Sequence, residues 1–426
     1  MPGSKSPGTF VSARIRVRQT VFPDRPLQNR RMLPGTPFHS RTAPLCAAHN
    51  WRRWGPCVVA GSYDLHPERE YFAVRTSAAL FDVSPLYKYA IRGVDATRLL
   101  NRVITRDVSR CRVGQVFYTP WCDAAGKVLD DGTLQRLGES VFRLTCAEPN
   151  LQWLYANATG LQVEIEDVSE QVAALSLQGP SARAILQHLC PADLNDLRYF
   201  HVMGSQLGSV AVEISRTGYS GDLGYEVWCE AATAPQLWDL IWEAGMPYGL
   251  VPAGILALDV ARVEAGLLLL DVDYTSARAA AIEARKSSPY ELGLGWAVDL
   301  RKENFVGRAA LALEQTRPAQ WRFVGIEVDW LDVEGLFNAA GLAPQVPTQT
   351  LRASVPLYLS DEWVGYASST VWSPITKRYI GLAHLRAPHF ATGTSLQMEV
   401  TVEHQRRLAS AKVVELPFYD PPRKRS

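Results

Sequence analysis

The chain has 426 residues, of which 47% are hydrophobic and 20% charged, as is typical of a globular protein with two or three domains. Its formal net charge of +1 argues against a general nucleic-acid binder. Asp271 interrupts the most apolar run, 267–270, well short of the ~20 residues that a membrane-spanning helix needs, so no membrane segment is predicted.

Basic residues are concentrated at the N-terminus, where residues 1–31 also contain Pro and Ser. The seven basic side chains of this stretch, against one acid, are Lys5, Arg14, Arg16, Arg18, Arg25, Arg30 and Arg31. This composition predicts a disordered or extended arm over residues 1–40. It leaves open a transit peptide or a true start at Met32.

Cysteine and histidine spacing gives no sign of a metal site or a disulfide framework. The seven cysteines are dispersed without a CxxC motif, and the eight histidines form no HExxH motif. An odd, scattered set of cysteines is typical of reduced thiols. We therefore predict a cytoplasmic protein that binds no metal.

Two adjacent acids follow a predicted turn in the first half of the chain. Residues 114–144 alternate short apolar runs with Gly and Asp, which predicts an antiparallel meander around the turn 123–126. Asp130 and Asp131 come next, and neighbouring strand residues point to opposite faces, so only one can face a pocket. That residue is either a solvated acid or a buried carboxylate that holds or protonates a ligand.

A glycine-rich stretch covers residues 216–228. Gly218, Gly221 and Gly224 stand between two runs that alternate like strands, which predicts a strand, a glycine loop and a returning strand. Glu226 then lies on the returning strand beside the loop. On the pattern alone, a hairpin with a solvated Glu226 is the more frequent outcome, and a carboxylate that meets a ligand is the alternative.

Several further side chains have both a structural and a functional interpretation. Asp95 is predicted to cap a short helix, and helices are predicted over residues 233–245 and 253–264. In the last of these, Arg262 either pairs with Asp259 or offers a guanidinium fork to a ligand carboxylate. The aromatic residues that line a pocket or belong to the core are Tyr118, Tyr219 and Trp296.

The texture of the chain changes after about residue 318. Short β-like runs recur between residues 322 and 402, separated by Pro, Gly and Asp, which predicts a small β-barrel or sandwich. Residues 331–350 are rich in Gly, Pro and Ala and predict an exposed loop.

Seven segments, taken in order, resemble the aminomethyltransferase family typified by the glycine-cleavage T protein. They are Leu80–Ser84 (LFDVS), Asp123–Asp131 (DAAGKVLDD), Leu175–Ser181 (LSLQGPS), Thr217–Glu226 (TGYSGDLGYE), Ala257–Leu267 (ALDVARVEAGL), Glu291–Trp296 (ELGLGW) and Pro417–Tyr419. Each is weak alone, but their order and spacing are specific.

The resemblance implies an α+β fold, a three-domain cloverleaf with tetrahydrofolate in a central channel. Applied to this chain, it predicts a folate-binding core of two interleaved α+β subdomains over residues 41–317. A C-terminal antiparallel β-barrel follows over residues 318–421, and a tail over 422–426.

The resemblance also implies roles for individual residues. Asp131 is similar to the family's catalytic carboxylate, and Tyr219 is assigned a catalytic role beside it. Glu226 is similar to the acid that pairs with the pterin edge. A carboxylate can accept two neighbouring pterin N–H groups in bidentate fashion. The remaining residues assigned to cofactor binding are Arg262, Tyr118, Trp296 and Asp130.

Departures from the family pattern bear on the donor substrate. The glycine loop has one acid fewer than usual, and the region 271–288 is longer and lacks the usual turn. We therefore predict a demethylase that moves a one-carbon unit from a small O-, N- or S-methyl donor to folate N5. The alternatives are a true T protein acting on a lipoyl carrier, and a non-catalytic folate-binding protein. A separate flavoprotein partner also stays open.

Overall fold

The structure is a computed structural model in which residues 33–426 are described. The first 32 residues of the predicted N-terminal arm lie outside this range. The rest of it, residues 33–40, packs onto the core: Phe38 is fully buried, and its ring centroid lies 6.3 Å from that of Trp238. This short stretch is therefore not an extended arm.

Two sheets form the first part of the molecule. A six-stranded sheet has the order β10-β11-β12-β9-β3-β13, and a five-stranded antiparallel sheet has the order β5-β6-β7-β4-β8. The strands of the first sheet are β3 (Ala78–Asp82), β9 (Val172–Gln178), β10 (Val202–Leu207), β11 (Val210–Ser215), β12 (Gly224–Glu230) and β13 (Leu250–Pro252). Those of the second are β4 (Tyr87–Arg92), β5 (Val116–Cys122), β6 (Val128–Gly138), β7 (Val141–Cys146) and β8 (Glu164–Asp167). A hairpin of β1 (Asn50–Trp54) and β2 (Cys57–Ser62) precedes them.

Helices pack against these sheets, except that the last one packs on the C-terminal part of the chain. They are α1 (His39–Thr42), α2 (Glu68–Thr76), α3 (Ala96–Val103), α4 (Leu151–Asn157), α5 (Ala182–Leu189), α6 (Ala234–Gly245), α7 (Ile255–Glu264), α8 (Arg308–Gln315) and α9 (Trp330–Ala339). Strand β9 shows why its run is apolar throughout. Leu175 packs in the core that includes α5 and α6, whereas its neighbour Ala174 packs in the core that includes α7. A strand covered on both faces needs apolar residues at successive positions.

The C-terminal part is a closed antiparallel β-barrel with the order β14-β17-β16-β15-β18-β19. Its strands are β14 (Trp321–Val328), β15 (Val355–Leu359), β16 (Glu362–Ser373), β17 (Arg378–Arg386), β18 (Ser395–Val402) and β19 (Gln405–Val414). Closure removes exposed sheet edges. This mixed helix-and-sheet architecture with a C-terminal barrel confirms the predicted α+β fold class.

Some local predictions were wrong for physical reasons. Asp95 stands at the start of α3, but its carboxylate accepts from the backbone N of Gln162 at 2.7 Å instead of capping the helix. The predicted loop 331–350 begins as helix α9, since Asp329 caps the backbone N of Leu331 at 2.9 Å. Strand β19 was missed because its polar residues face solvent. In residues 33–426, no helix combines the length and apolarity needed to cross a bilayer.

Candidate functional site

Asp131 lies on a face of strands β5, β6 and β7. The register pairs Tyr118 with Thr133 and Thr133 with Thr145, so the alternate residues Asp131, Thr133 and Gln135 share that face. Asp130 points the other way and is fully buried.

Asp130 is held by the chain itself. Its carboxylate accepts from the backbone N of Asp131 at 2.8 Å, from that of Glu148 at 3.1 Å and from Asn150 Nδ2 at 2.8 Å. The strand pleat therefore directs Asp130 away from the Asp131 face. The predicted cofactor contact by Asp130 does not fit this geometry, and the side chain instead fixes the meander to the loop that follows it.

Asp131 is half-buried and sits among tyrosines. Tyr274 donates a short hydrogen bond from its hydroxyl to Asp131 Oδ1. Burial raises the pKa of Asp131, and hydrogen bonding from Tyr274 and Tyr118 offsets part of that rise by favouring the charged form. The result is a carboxylate poised to exchange a proton or hold a cation.

Glu226 lies on β12 of the six-stranded sheet, beside the glycine loop. Thr217 donates from its hydroxyl to Glu226 Oε2 at 2.5 Å. Burial raises the pKa of Glu226, while Thr217 and the positive charge of Arg143 oppose the rise. Glu226 is thus a second half-buried carboxylate, oriented by a neighbouring hydroxyl.

Contacts of Arg143 show that the face carrying Asp131 and the face carrying Glu226 lie opposite one another. Arg143 extends from β7, donates to Gln135 Oε1 and makes a short ion pair with Glu213 of β11. Its guanidinium carbon lies 4.7 Å from the ring centroid of Trp228 on β12, the strand that carries Glu226. The Asp131 face and the Glu226 face therefore lie opposite one another, with Arg143 between the two sheets, and we name the region between them the inter-sheet channel.

Two buried polar atoms on the face that carries Asp131 have no hydrogen-bond partner within residues 33–426. They are Gln135 Nε2 and Thr145 Oγ1, whose residues are 0% and 3% exposed. Buried polar groups are nearly always paired, so such atoms need an explanation, and an unseen ligand is one. Their position beside the inter-sheet channel fits a ligand that carries several hydrogen-bonding groups.

Aromatic side chains lie at the end of the inter-sheet channel that contains Asp131. The rings of Tyr118 and Trp296 stack with centroids 6.1 Å apart and planes 26° from parallel. Trp296 is 65% exposed, so it is not a core residue. A stacked pair with one exposed face suits a flat ring.

Tyr219 and Arg262 lie next to this region but direct their polar atoms into the protein. The hydroxyl of Tyr219 donates a short hydrogen bond to the carbonyl of Leu268. Its predicted catalytic role stays a prediction.

The guanidinium of Arg262 is fully enclosed. Nε donates to Asp259 at 2.8 Å, Nη1 pairs with Asp273, and Nη2 donates to Ser369 of the barrel at 2.7 Å. The structural interpretation, a pair with Asp259, is therefore present. The predicted fork for a ligand carboxylate is occupied by protein acceptors.

The glycine loop makes room for the chain's own side chain. A Cβ at Gly218 or Gly224 would fall 2.2 or 2.1 Å from Gln178 Oε1. Gln178 accepts from Ser220 Oγ at 2.6 Å. These two glycines therefore admit Gln178, which holds the loop in place behind Glu226, and the expected strand, loop and returning strand are confirmed.

Tyr274 is a residue that sequence reasoning missed. It lies in the stretch 271–288, which departs from the family pattern and returns along β6, where the backbone N of Ala277 donates to Val128 at 2.8 Å. Gln135 and Thr145 were also missed. Strand alternation from Asp131 could have indicated Gln135, whereas Thr145 needed the pairing register.

A cavity of about 660 Å³ lies elsewhere, at one end of the barrel. Its charged groups are largely paired: Arg378 lies 2.7 Å from Glu327, and Asp329 caps α9. It includes none of the predicted site residues, so we place the site in the inter-sheet channel. Among residues 33–426, no cluster of three or more His, Cys, Asp or Glu could hold a metal.

Two family descriptions match the chain. Residues 51–302 match the GCVT N-terminal domain, and residues 339–420 match the glycine cleavage T-protein C-terminal barrel domain. The solved glycine cleavage system aminomethyltransferase T of Bartonella henselae shares the fold, with a TM-score of 0.76 at 23% identity, covering 91% of this chain and 99% of that one.

Curated relatives are similar over most of their length. An aminomethyltransferase of Halalkalibacterium halodurans is 35% identical over 357 residues, covering 83% of this chain and 89% of the relative. One of Geobacillus thermodenitrificans is 36% identical over 358 residues, covering 83% and 90%. These relatives do not confirm the predicted leaning towards demethylases. The chain belongs to the glycine-cleavage T-protein family, whose members are enzymes that transfer one-carbon groups.

Proposed function

We propose that this protein is a tetrahydrofolate-dependent aminomethyltransferase that takes the aminomethyl group of a lipoyl carrier protein and releases ammonia. The observation that carries the proposal is the pair of half-buried carboxylates, Asp131 and Glu226, on facing sheets of one channel. The choice of an aminomethyl donor over a methyl donor is supported by the names of relatives 35–36% identical. Seven unpaired cysteines support a cytoplasmic location.

The residues of the channel fit a reduced pterin. Glu226 offers carboxylate oxygens for the 2-amino and N3–H groups of the ring edge. Gln135 and Thr145 present, on the opposite face, buried polar atoms that have no partner in the described part of the chain. Tyr118 and Trp296 provide stacked aromatic surface nearer Asp131. When bound, tetrahydrofolate supplies the nucleophilic nitrogen N5 that accepts the carbon.

The chain's own contribution is largely positional and electrostatic. Asp131 stabilises the cationic amine of the donor and orders proton delivery to the leaving nitrogen. Tyr274 fixes one oxygen of that carboxylate, so that its charge stays aimed into the channel. Aromatic walls limit water around the reacting atoms, which strengthens these interactions. Arg262 acts at one remove, by tying α7 to Asp273 and the barrel.

The direct test combines donor and folate. The parent protein, supplied with tetrahydrofolate and an aminomethyl-loaded lipoyl carrier, is expected to release ammonia and form one-carbon-loaded folate, read by mass. Glu226→Ala is expected to weaken folate binding by at least about tenfold in calorimetry, because a charged acceptor of two N–H groups is lost.

The control variant is Glu230→Ala, an exposed acid on the same strand β12, which should bind folate like the parent. Turnover with small methyl donors but none with the loaded carrier would favour the demethylase alternative. Folate affinity unchanged in Glu226→Ala would refute the pterin assignment.

A further inference from the structure

Gln135 is a buried amide whose orientation is fixed by its neighbours. Its side chain is 0% exposed on β6, four residues from Asp131 and on the same face. Oε1 accepts two hydrogen bonds from Arg143, from Nε at 2.9 Å and from Nη2 at 2.5 Å. Nε2 is then directed away from Arg143, and it has no acceptor within residues 33–426.

The side-chain amide of Gln135 cannot flip by 180° to give Nε2 a partner. Arg143 is itself held by its ion pair with Glu213 and by the ring of Trp228, 4.7 Å from its guanidinium carbon. A reversed amide would put N–H groups against a guanidinium that has no acceptor to offer. The unpaired donor is therefore a fixed property of the channel wall, and a ligand acceptor would satisfy it.

We propose, resting on the proposed folate-dependent function, that Gln135 donates from Nε2 to the 4-oxo oxygen of the pterin and thereby selects 4-oxo over 4-amino pterins. When Glu226 takes the 2-amino and N3–H groups, the 4-oxo oxygen is the adjacent acceptor on the ring. Arg143 contacts Gln135 directly and its charge acts on Glu226, so both groups lie at one end of the channel. A 4-amino group there would set donor against donor.

The test exchanges donor for acceptor at this position. Gln135→Glu keeps an oxygen for Arg143 but presents an acceptor to the ligand. Calorimetry compares the affinities for tetrahydrofolate and for its 4-amino-4-deoxy analogue. The parent is expected to prefer the 4-oxo form, and Gln135→Glu to lower the 4-oxo to 4-amino affinity ratio by at least about tenfold, since a buried mismatch of polar groups is strongly discriminating.

Two further variants complete the experiment. Gln206→Glu adds the same charge at an exposed position of β10 and should leave the ratio at the parent value. Gln135→Met removes the donor without adding charge, so it should lower the ratio even if Gln135→Glu folds poorly. Ratios equal to the parent's in both Gln135 variants would overturn the inference while leaving the proposed function intact. A parent that binds neither pterin would overturn the proposed function itself.

Discussion

Polar groups are buried both in the inter-sheet channel and at the junction between the core and the barrel. The two regions differ in how many of these groups have hydrogen-bond partners. At the junction, Arg75 donates to Glu264 at 2.6 Å and to the carbonyl of Ser220 at 3.0 Å. Glu264 in turn accepts from Tyr71 and from Ser373 of the barrel, each at 2.6 Å. In the channel, by contrast, Gln135 Nε2 and Thr145 Oγ1 stay unpaired within residues 33–426.

This difference in pairing helps to distinguish buried groups that hold the fold together from buried groups that could bind a ligand. Burial makes an ion expensive, so a group that only holds the fold together needs a full set of partners. At a binding site, some buried polar groups stay unpaired so that a ligand can bind them, although this destabilises the protein without its ligand. Buried charge alone is therefore a poor guide to the site, whereas unsatisfied groups beside poised carboxylates are a better one.

The largest expected effect comes from Asp131→Asn, on the channel side of the comparison. Losing the carboxylate is expected to lower turnover by ~10²–10⁴-fold, the usual contribution of a positioned acid or base. Folate affinity should stay near the parent value, since the proposed function gives the pterin contact to Glu226. Stability should not fall, because burial raises the pKa of Asp131 and the neutral amide avoids that cost.

The matched control is the adjacent Asp130→Asn, on the opposite face of the same strand. An amide has one acceptor oxygen where the carboxylate has two, and Asp130 accepts from three N–H groups. We therefore expect lower thermal stability with folate affinity kept. If Asp131→Asn turned over like the parent, Asp131 would lose its assignment as the catalytic carboxylate.

The next largest effect is expected at the junction, from Arg262→Met. This change leaves the buried Asp273 without its guanidinium partner and leaves Asp259 with Arg352 alone. Removing one side of a buried pair costs about 3–5 kcal/mol. The free energy of unfolding in urea measures it. Arg378→Met breaks an exposed pair with Glu327 and should change the midpoint little.

The same variant also tests where Arg262 belongs. A midpoint equal to the parent's, together with weakened folate binding, would contradict the structural assignment. It would instead support the ligand fork predicted from the sequence. A lower midpoint with folate affinity kept in the folded protein would place Arg262 firmly in the junction.

The fold was largely predictable because hydrophobic period and family motifs agree over long segments. The meander 114–144 and the glycine hairpin alternate clearly, and tertiary packing did not override them. Failures came where one side chain had a choice of partner. Asp95 prefers the distant backbone N of Gln162, which no local pattern encodes.

The site was predictable only in part, for a related reason. Motif matching selected Asp131 and Glu226, and strand alternation agrees with the opposite directions in which Asp130 and Asp131 point. It could not show that Arg262 meets Asp273 and Ser369, because those contacts depend on how the barrel docks. Tyr274 escaped notice because its segment departs from the family pattern, so no motif pointed to its hydroxyl.

Tyr274→Phe gives the smallest of the expected effects and the finest test of how the channel is tuned. The hydroxyl of Tyr274 favours the charged form of Asp131, so its loss raises the pKa of that carboxyl further. If the carboxylate is the active form, the acidic limb of the turnover profile moves to higher pH. Below that limb the rate falls by about tenfold, the value of one hydrogen bond to a charge, while the rate at high pH is kept.

Tyr290→Phe is the control for this shift, because the Tyr290 hydroxyl has no partner within residues 33–426. Its profile should overlay that of the parent. A limb that stays in place in Tyr274→Phe would mean that Tyr274 only packs against Asp131. A limb displaced to lower pH would mean that the hydroxyl disfavours the charged form of Asp131, against the assignment made here. Activity that is lost instead on the alkaline side, along a limb that moves to higher pH in Tyr274→Phe, would mean that the protonated carboxyl is the working form.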